Sequence, residues 1–184
     1  KKIGNKNGFK IGISGTHPVA KASEQNFVTN SSYSWVSEQL RYYAQRNITF
    51  STHIHISIDN ADRAISITNA TRRWIPVLLA LSTNSPFFEG VNTGFKSSRT
   101  MQFGVFPKTN IPVKIDSFES YITLVESLIQ TKSIQKSRQI WWKIRPHLDY
   151  GTLEYRICDV QRSLKRTKML VALTQALVHS YDQK

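Results

Sequence analysis

Two short segments of this 184-residue chain carry ionisable side chains at alternate positions. Residues 53–57 read HIHIS, and residues 154–156 read EYR. In a β-strand, side chains two positions apart project from the same face and lie about 6–7 Å apart. The first segment therefore presents two imidazoles on one face, and the second presents a carboxylate beside a guanidinium.

These groups suit a ligand that carries phosphates and a metal ion. Mg²⁺ prefers carboxylate and phosphate oxygens, and arginine offers a two-pronged donor to phosphate or carboxylate. Structural roles are open as well, because two histidines on a strand can simply face solvent and a Glu-x-Arg pair can be an ion pair of little energetic value. A zinc site would need more Cys or His ligands than the first segment offers.

The sequence around these segments predicts strands of an α+β fold. Residues 51–58 and 152–158 alternate polar and apolar side chains, which is typical of strands with one polar and one apolar face. Residues 9–14 and 140–145 show weaker versions of the same pattern. Strands with one polar face favour a mainly antiparallel sheet.

Apolar side chains at helical spacing predict four helices. These run from Ser32 or Ser34 to about residue 47, from residue 59 or 60 to 81, onward from a cap at Asp116, and over residues 164–181. Pro76 should kink or divide the second helix. The segment after it predicts a long loop that holds Arg99, and loops of that length are often functional.

Composition indicates one globular domain in a reducing compartment. Hydrophobic residues make up 40% of the chain and charged residues 20%, which is ordinary for a globular protein. The single cysteine, Cys158, cannot form an internal disulfide and is expected to be buried or half-buried. We see no signal peptide and no apolar run long enough to cross a bilayer, so we expect a cytoplasmic protein without a membrane partner.

The net charge of +13 is compatible with nucleic acid, an anionic surface or a phosphorylated ligand as partner. Basic residues are denser in residues 132–143 and 162–168 but otherwise spread along the chain. They do not form an aromatic-interleaved basic motif, so nucleic acid is the less favoured partner. His147 and His179 have no sequence neighbours that indicate a site.

Six stretches together resemble the carboxylate–amine ligases, the family of the type 2 glutamate–cysteine ligases. They read GTHP from residue 15, HIHI from 53, LLALSTNSPF from 78, SRT from 98, WKIRP from 142 and TLEYRICDV from 152. Each motif alone is weak, but six in the same order and spacing are specific. The resemblance covers nearly the whole chain.

The resemblance implies a glutamine-synthetase-like fold, with a curved, mainly antiparallel sheet and helices packed on one face. It also implies an enzyme that uses ATP and Mg²⁺. ATP would phosphorylate the γ-carboxylate of glutamate, and an amine such as cysteine would attack the acyl phosphate. Members of the family commonly associate, so a homo-oligomer is compatible with the resemblance.

Seven residues take roles that the resemblance implies, each at a position that matches a family motif. The metal ligands would be His53 and Glu154. The nucleotide would lie against His55, Ser57 and Arg145. The catalytic arginines, which neutralise charge on the transferred phosphoryl group, would be Arg156 and Arg99.

The chain also departs from the family. Members are considerably longer and begin with a glutamate-rich strand that supplies further metal ligands, whereas nothing of that kind precedes Phe9. Residues 50–52 also read FST where the family often has a Cys-Gly-Leu-like turn. We therefore expect residues 1–184 to be a partial catalytic domain with little or no activity by itself. The alternative is a non-catalytic domain of the same fold that binds an anionic ligand or nucleic acid.

Overall fold

The structure is a computed structural model that describes residues 2–26 and 31–182. Its helices are α1 (Lys2–Lys6), α2 (Ser31–Leu40), α3 (Ala61–Thr71), α4 (Ile75–Ser82), α5 (Ser98–Gly104), α6 (Phe118–Gln130) and α7 (Leu164–Asp182). Its strands are β1 (Ile54–Ser57), β2 (Phe87–Phe88), β3 (Val91–Asn92), β4 (Ile144–His147) and β5 (Thr152–Tyr155). This mixture of helices and small antiparallel sheets confirms the α+β class.

The larger sheet has the strand order β1-β5-β4, and both strand pairs are antiparallel. Its register places Ile54 opposite Tyr155, and Tyr155 opposite Ile144 on the far strand. Because side chains alternate along each strand, these three share one face and their neighbours share the other. The sheet therefore has an apolar face and an ionisable face, as the sequence pattern predicted.

Helices α3, α4 and α7 pack on the apolar face. Their buried side chains form one core with the strands, and the helical members of that core are Ile67, Ile75, Leu78, Leu170 and Val178. Burying a side chain of this size stabilises the fold by about 1.5–3 kcal/mol. Cys158 belongs to the same core and is fully buried, which confirms the expectation for it.

The helix that follows β1 is divided, as Pro76 predicted. Helix α3 begins after Asn60, whose side chain accepts a hydrogen bond from the backbone N–H of Arg63. It ends at Thr71, a 3₁₀ turn follows, and α4 then begins with proline in its first turn. Proline fits there because the first turn of a helix does not use its N–H groups. The predicted C-terminal helix is also confirmed, as α7.

The prediction of a strand over residues 9–14 is wrong. This segment pairs with no strand among the described residues, and the side chains of Phe9 and Ile11 are exposed. It is held instead through Asn84, which donates to the carbonyl of Ile13 and accepts from the hydroxyl of Ser14. Alternation alone does not make a strand when no neighbouring strand completes its hydrogen bonds.

Other predicted boundaries also need correction. The strands predicted over residues 51–58 and 152–158 are shorter, at Ile54–Ser57 and Thr152–Tyr155. Residues 140–143 precede β4 rather than belong to it. Ser117, not Asp116, caps α6, since its hydroxyl accepts the N–H of Ser120. The helix expected from Ser32 or Ser34 begins at Ser31 and ends at Leu40, where a 3₁₀ segment takes over; the side chain of Ser32 lies outside the described residues.

The predicted long loop after α4 contains regular structure. Strands β2 and β3 form a two-stranded hairpin, and α5 follows it. Ser97 caps α5 by accepting the N–H of Thr100. Arg99 therefore lies in the first turn of a helix and not in a loop, which fixes the direction of its side chain.

Candidate active site

The ionisable face carries rows of polar side chains that cross the three strands. In the middle row, His55 lies opposite Glu154, and Glu154 lies opposite Arg145. One register step away, the second row runs across the sheet through Ser57, Thr152 and His147. The third row lies on the other side of the middle row, just beyond the ends of the strands. It contains His53, Arg156 and Lys143.

Glu154 is the centre of this face. Its Oε2 accepts a hydrogen bond from Nε of Arg145 at 2.5 Å, and its Oε1 accepts one from Nη1 of Arg156 at 2.6 Å. The same Oε1 lies 3.1 Å from Nδ1 of His53 and 3.6 Å from Nε2 of His55. Glu154 is only 2% exposed, so these contacts replace its hydration. The carboxylate thus fixes the positions of the cationic groups around it.

The surroundings keep Glu154 ionised. Burial by itself would raise its pKa, but the hydrogen bond from His53 and the charges of Arg156 and Arg145 together lower the pKa well below the ordinary 4.5. The pKa of His53 is lowered too, chiefly by burial and by the charge of Arg156, although the hydrogen bond to Glu154 opposes the change. At neutral pH, His53 is therefore an uncharged imidazole with a lone pair to offer.

His53 and Glu154 fit a Mg²⁺ ion only if other ligands complete its shell. Because Nδ1 of His53 donates its proton to Oε1 of Glu154, 3.1 Å away, the ring nitrogen left to hold a metal would be Nε2. Within the described residues, however, no group of three or more His, Cys, Asp or Glu side chains could hold a metal. Mg²⁺ in nucleotide sites usually takes its remaining ligands from phosphates and water.

Arg145 and Arg99 are buried and contact the protein itself. Nη1 of Arg145 donates to the carbonyls of Arg138 and Ile140, in addition to the Nε bond to Glu154. The two Nη groups of Arg99 donate to the carbonyls of Ile157 and Arg156, at 2.9 and 2.7 Å. Their roles toward a ligand stay predictions, and these contacts favour positioning roles.

Asp159 anchors Arg99, although no sequence pattern predicted a role for it. It is fully buried, and its Oδ1 lies 3.5 Å from Nη1 of Arg99. Hydroxyls of Ser85 and Ser97 donate to its two oxygens. This network ties the start of α5 to the chain just after Arg156. The close Asp after the Glu-x-Arg segment is the one sequence signal that could have indicated it.

Arg156 has donors left for a ligand, and Nε of Arg99 is also without a partner. One Nη of Arg156 holds Glu154, whereas its buried Nε has no hydrogen-bond partner in the structure. Burial lowers its pKa to about 10, with the charge of Glu154 opposing that change, so the guanidinium stays charged at neutral pH. Its side chain is 11% exposed, on the side where His53 and His55 are open to solvent.

His147 lies on this face, although its sequence neighbours indicate no site. Its ring centroid lies 5.6 Å from that of His55, and it stacks on the ring of Tyr150 at 4.4 Å. Burial lowers the pKa of His147, and its Nδ1 has no partner. Lys143 is likewise on this face without a hydrogen bond to its Nζ. Residues 143, 145 and 147 alternate, so the strand predicted over residues 140–145 already placed Lys143 beside Arg145, and a strand that continued to residue 147 would have found His147 as well.

The unpaired donors on this face fit an anionic ligand. Buried nitrogens without a partner are rare in native proteins and call for an explanation such as a ligand. Here they include Nε of Arg156, Nζ of Lys143 and Nδ1 of His147. Phosphate or carboxylate oxygens would complete their hydrogen bonds. This donor set therefore fits the polyphosphate of a nucleotide.

No helix in the described part of the chain is both long and apolar enough to cross a membrane.

Comparisons with known proteins point to one family. The family model for glutamate–cysteine ligase family 2 matches residues 1–184. The glutamate–cysteine ligases of Natronomonas pharaonis and Haloquadratum walsbyi are 37% and 36% identical over 96% and 95% of this chain. A Solibacter usitatus protein, with the provisional name glutamate–cysteine ligase 2, is 39% identical over 96% of it. The chain spans 46–49% of the length of these three relatives. From the match along its whole length, the chain belongs to glutamate–cysteine ligase family 2.

Proposed function

We propose that this chain forms the phosphate-binding part of an ATP-dependent carboxylate–amine ligase of the glutamate–cysteine type. Residues 1–184 would be one partial catalytic domain with a glutamine-synthetase-like sheet. The observation that carries the proposal is the buried Glu154 carboxylate, which holds Arg156 and His53 at the open side of the ionisable face. Family membership and the names of the relatives support the same reaction class.

The reaction would form the amide in two steps. A carboxylate oxygen of glutamate attacks the γ-phosphorus of ATP, the bond to the ADP oxygen breaks, and an acyl phosphate forms. The amine nitrogen of cysteine or another acceptor then attacks the acyl carbon. The bond to the phosphate oxygen breaks, the nitrogen loses a proton, and the amide and inorganic phosphate are released.

The side chains of this face would act mainly by position and charge, as in most phosphoryl transfer. Arg156 would donate from Nε to an oxygen of the transferred phosphoryl group. Arg156 is held at two points. Its guanidinium donates to Glu154 at 2.6 Å, and its main-chain carbonyl accepts a hydrogen bond from Arg99. A guanidinium held in advance costs little reorganisation during the reaction.

The remaining roles follow the geometry of the rows. His53 and Glu154 would hold Mg²⁺, which when bound would screen the negative charge of the phosphates. His55 and Ser57 lie on the exposed edge strand, where they would face the nucleotide. Arg145 would keep Glu154 in place. We also propose that Arg145 and Arg99 contact a phosphate of the bound nucleotide.

The test is ADP release that depends on glutamate, measured with the protein encoded by the complete open reading frame. Hydroxylamine added to the assay should trap the acyl phosphate as a hydroxamate. Replacing the catalytic guanidinium, Arg156→Met, should lower turnover about 10³-fold or more, the range seen when such an arginine is lost. Arg162→Met, at an exposed arginine, is the matched control and should leave turnover unchanged.

Two results would overturn the proposal: ADP release that does not require glutamate, or full turnover by a folded Arg156→Met protein. We expect little turnover from residues 1–184 alone, because the described chain offers only two metal ligands. A thermal melt of each variant separates loss of chemistry from loss of folding.

The competing hypothesis is a non-catalytic domain of the same fold that binds an anion or nucleic acid. The family match and the relatives' names do not favour it. Titration with duplex DNA at increasing salt would test it, since nucleic-acid binding weakens steeply with salt. A cytoplasmic location and a homo-oligomer stay predictions.

A further inference from the structure

Lys143 is a buried cation without a hydrogen-bond partner. It is 5% exposed, and its Nζ makes no hydrogen bond to protein. The ammonium lies over the ring of Phe103, whose centroid is 5.1 Å away. A cation over an aromatic face gains some attraction, but this does not replace the hydrogen bonds that the ammonium loses when it leaves water.

The nearby carboxylates are already used by other groups. Both oxygens of Glu154 are held by arginines, as described above, and those of Asp159 are held by serine hydroxyls and Arg99. Four cationic side chains therefore share two carboxylates, which leaves an excess of two positive charges. The four are Arg99, Lys143, Arg145 and Arg156.

This excess destabilises the protein unless an anion neutralises it. Burial, and then the charges of Arg99 and Arg156, lower the pKa of the Lys143 ammonium to about 8. The backbone N–H of Arg156 donates to the Lys143 carbonyl at 2.8 Å, so the two side chains start from adjacent positions of the sheet. Because a lysine stem is flexible, the ammonium and the free Nε of Arg156 can turn toward the same ligand.

We propose that Lys143 and Arg156 form an oxyanion subsite, which takes a phosphate or carboxylate group of the substrates. The identity of the bound group rests on the proposed function. The existence of the subsite is argued from the unpaired donors of Lys143 and Arg156 alone. Neither the family resemblance nor the pattern of the sequence gave Lys143 a role. Lys143 would touch the ligand directly.

The test combines stability with anion binding in one variant. Lys143→Met keeps the length of the side chain but removes the charge. Without ligand, the variant should melt at a higher temperature than the wild type, because an unpaired buried charge is removed. Its affinity for the bound anion should fall by about ten- to hundred-fold, as expected for one lost hydrogen bond to a charged group.

The probes are inorganic tripolyphosphate and free glutamate, titrated separately by calorimetry into the wild type and each variant. If Lys143→Met weakens the binding of tripolyphosphate alone, the subsite takes a phosphate. If it weakens the binding of glutamate alone, the subsite takes a carboxylate. Lys143→Arg should restore part of the lost affinity. Lys168→Met, at an exposed lysine of α7, makes the same change in net charge and should alter neither property.

The outcomes separate this inference from the proposed function. Wild-type protein that binds tripolyphosphate or glutamate, with equal affinity in Lys143→Met, overturns the subsite and leaves the ligase proposal standing. A variant that melts at a lower temperature and binds as tightly as the wild type shows a structural lysine and also overturns it. Wild-type protein that binds neither probe, nor ATP, overturns both.

Discussion

The Glu154→Gln substitution gives the sharpest test of how the ionisable face is held together. Glutamine has the same shape, but it cannot neutralise the two arginines that contact the carboxylate at 2.5 and 2.6 Å. Removing one partner of a buried ion pair costs about 3–5 kcal/mol, because the other charge stays buried and unpaired. For a domain of this size, each kcal/mol lowers the melting temperature by about 2–4 °C. We therefore expect a fall of about 6–20 °C near neutral pH.

The same substitution has a predicted pH dependence. The folded-state pKa of Glu154 is lowered below its ordinary 4.5, so the unfolded chain takes up the proton first as the pH falls. The stability that the carboxylate contributes is complete above that ordinary value and is lost as the pH drops toward the folded-state pKa. The stability difference between wild type and Glu154→Gln should therefore narrow between about pH 5 and about pH 3.

Urea unfolding of both proteins across this pH range measures the difference directly. Glu126→Gln, at an exposed glutamate in α6, is the control and should change the free energy of unfolding by less than about 0.5 kcal/mol. A Glu154→Gln protein that loses less than about 1 kcal/mol at neutral pH would refute the reasoning. A difference that stays constant from about pH 5 to about pH 3 would refute it as well.

Two further predictions concern the supports of the site. Gly15→Ala should lower the free energy of unfolding by about 1–3 kcal/mol, measured by a thermal melt. The new Cβ would lie 2.8 Å from Cγ of Asp159, in a fully buried network that cannot easily move. Unchanged stability would contradict this, because it would mean that the side chains of the network shift at little cost. Tyr155→Phe should cost about 0.5–1.5 kcal/mol in urea unfolding, because it removes the hydroxyl that donates to Oγ1 of Thr71 at 2.9 Å. In a Thr71→Val background, Tyr155→Phe should lower the free energy of unfolding by less than it does in the wild type. An equal loss in both backgrounds would contradict the hydrogen bond between Tyr155 and Thr71.

The rows of the site could be predicted along each strand but not across the strands. Alternation is a property of the backbone, so residues 53–57 and 154–156 predicted which side chains share a face. The register between strands depends on the turn and on packing of the whole domain. That register places Arg145 opposite Glu154 and brings His147 beside His55.

Long-range contacts explain what the sequence could not show about Arg99. Its motif indicated a ligand-binding arginine, yet both Nη groups are used by main-chain carbonyls of residues 156 and 157. Those partners lie more than fifty positions away along the chain, so no local pattern reports them. The wrong strand prediction for residues 9–14 has the same origin, because pairing requires a second segment that local alternation cannot supply.

The most direct test of the central claim is where a nucleotide binds. Proton–nitrogen correlation spectra of arginine Nε and histidine ring signals can be followed while Mg·ATP is added to the protein. We expect saturable shifts for Arg156, His53 and His55, with the signals of exposed Arg162 and His179 unchanged. Shifts confined to residues outside the ionisable face, or no shift at saturating nucleotide, would contradict it.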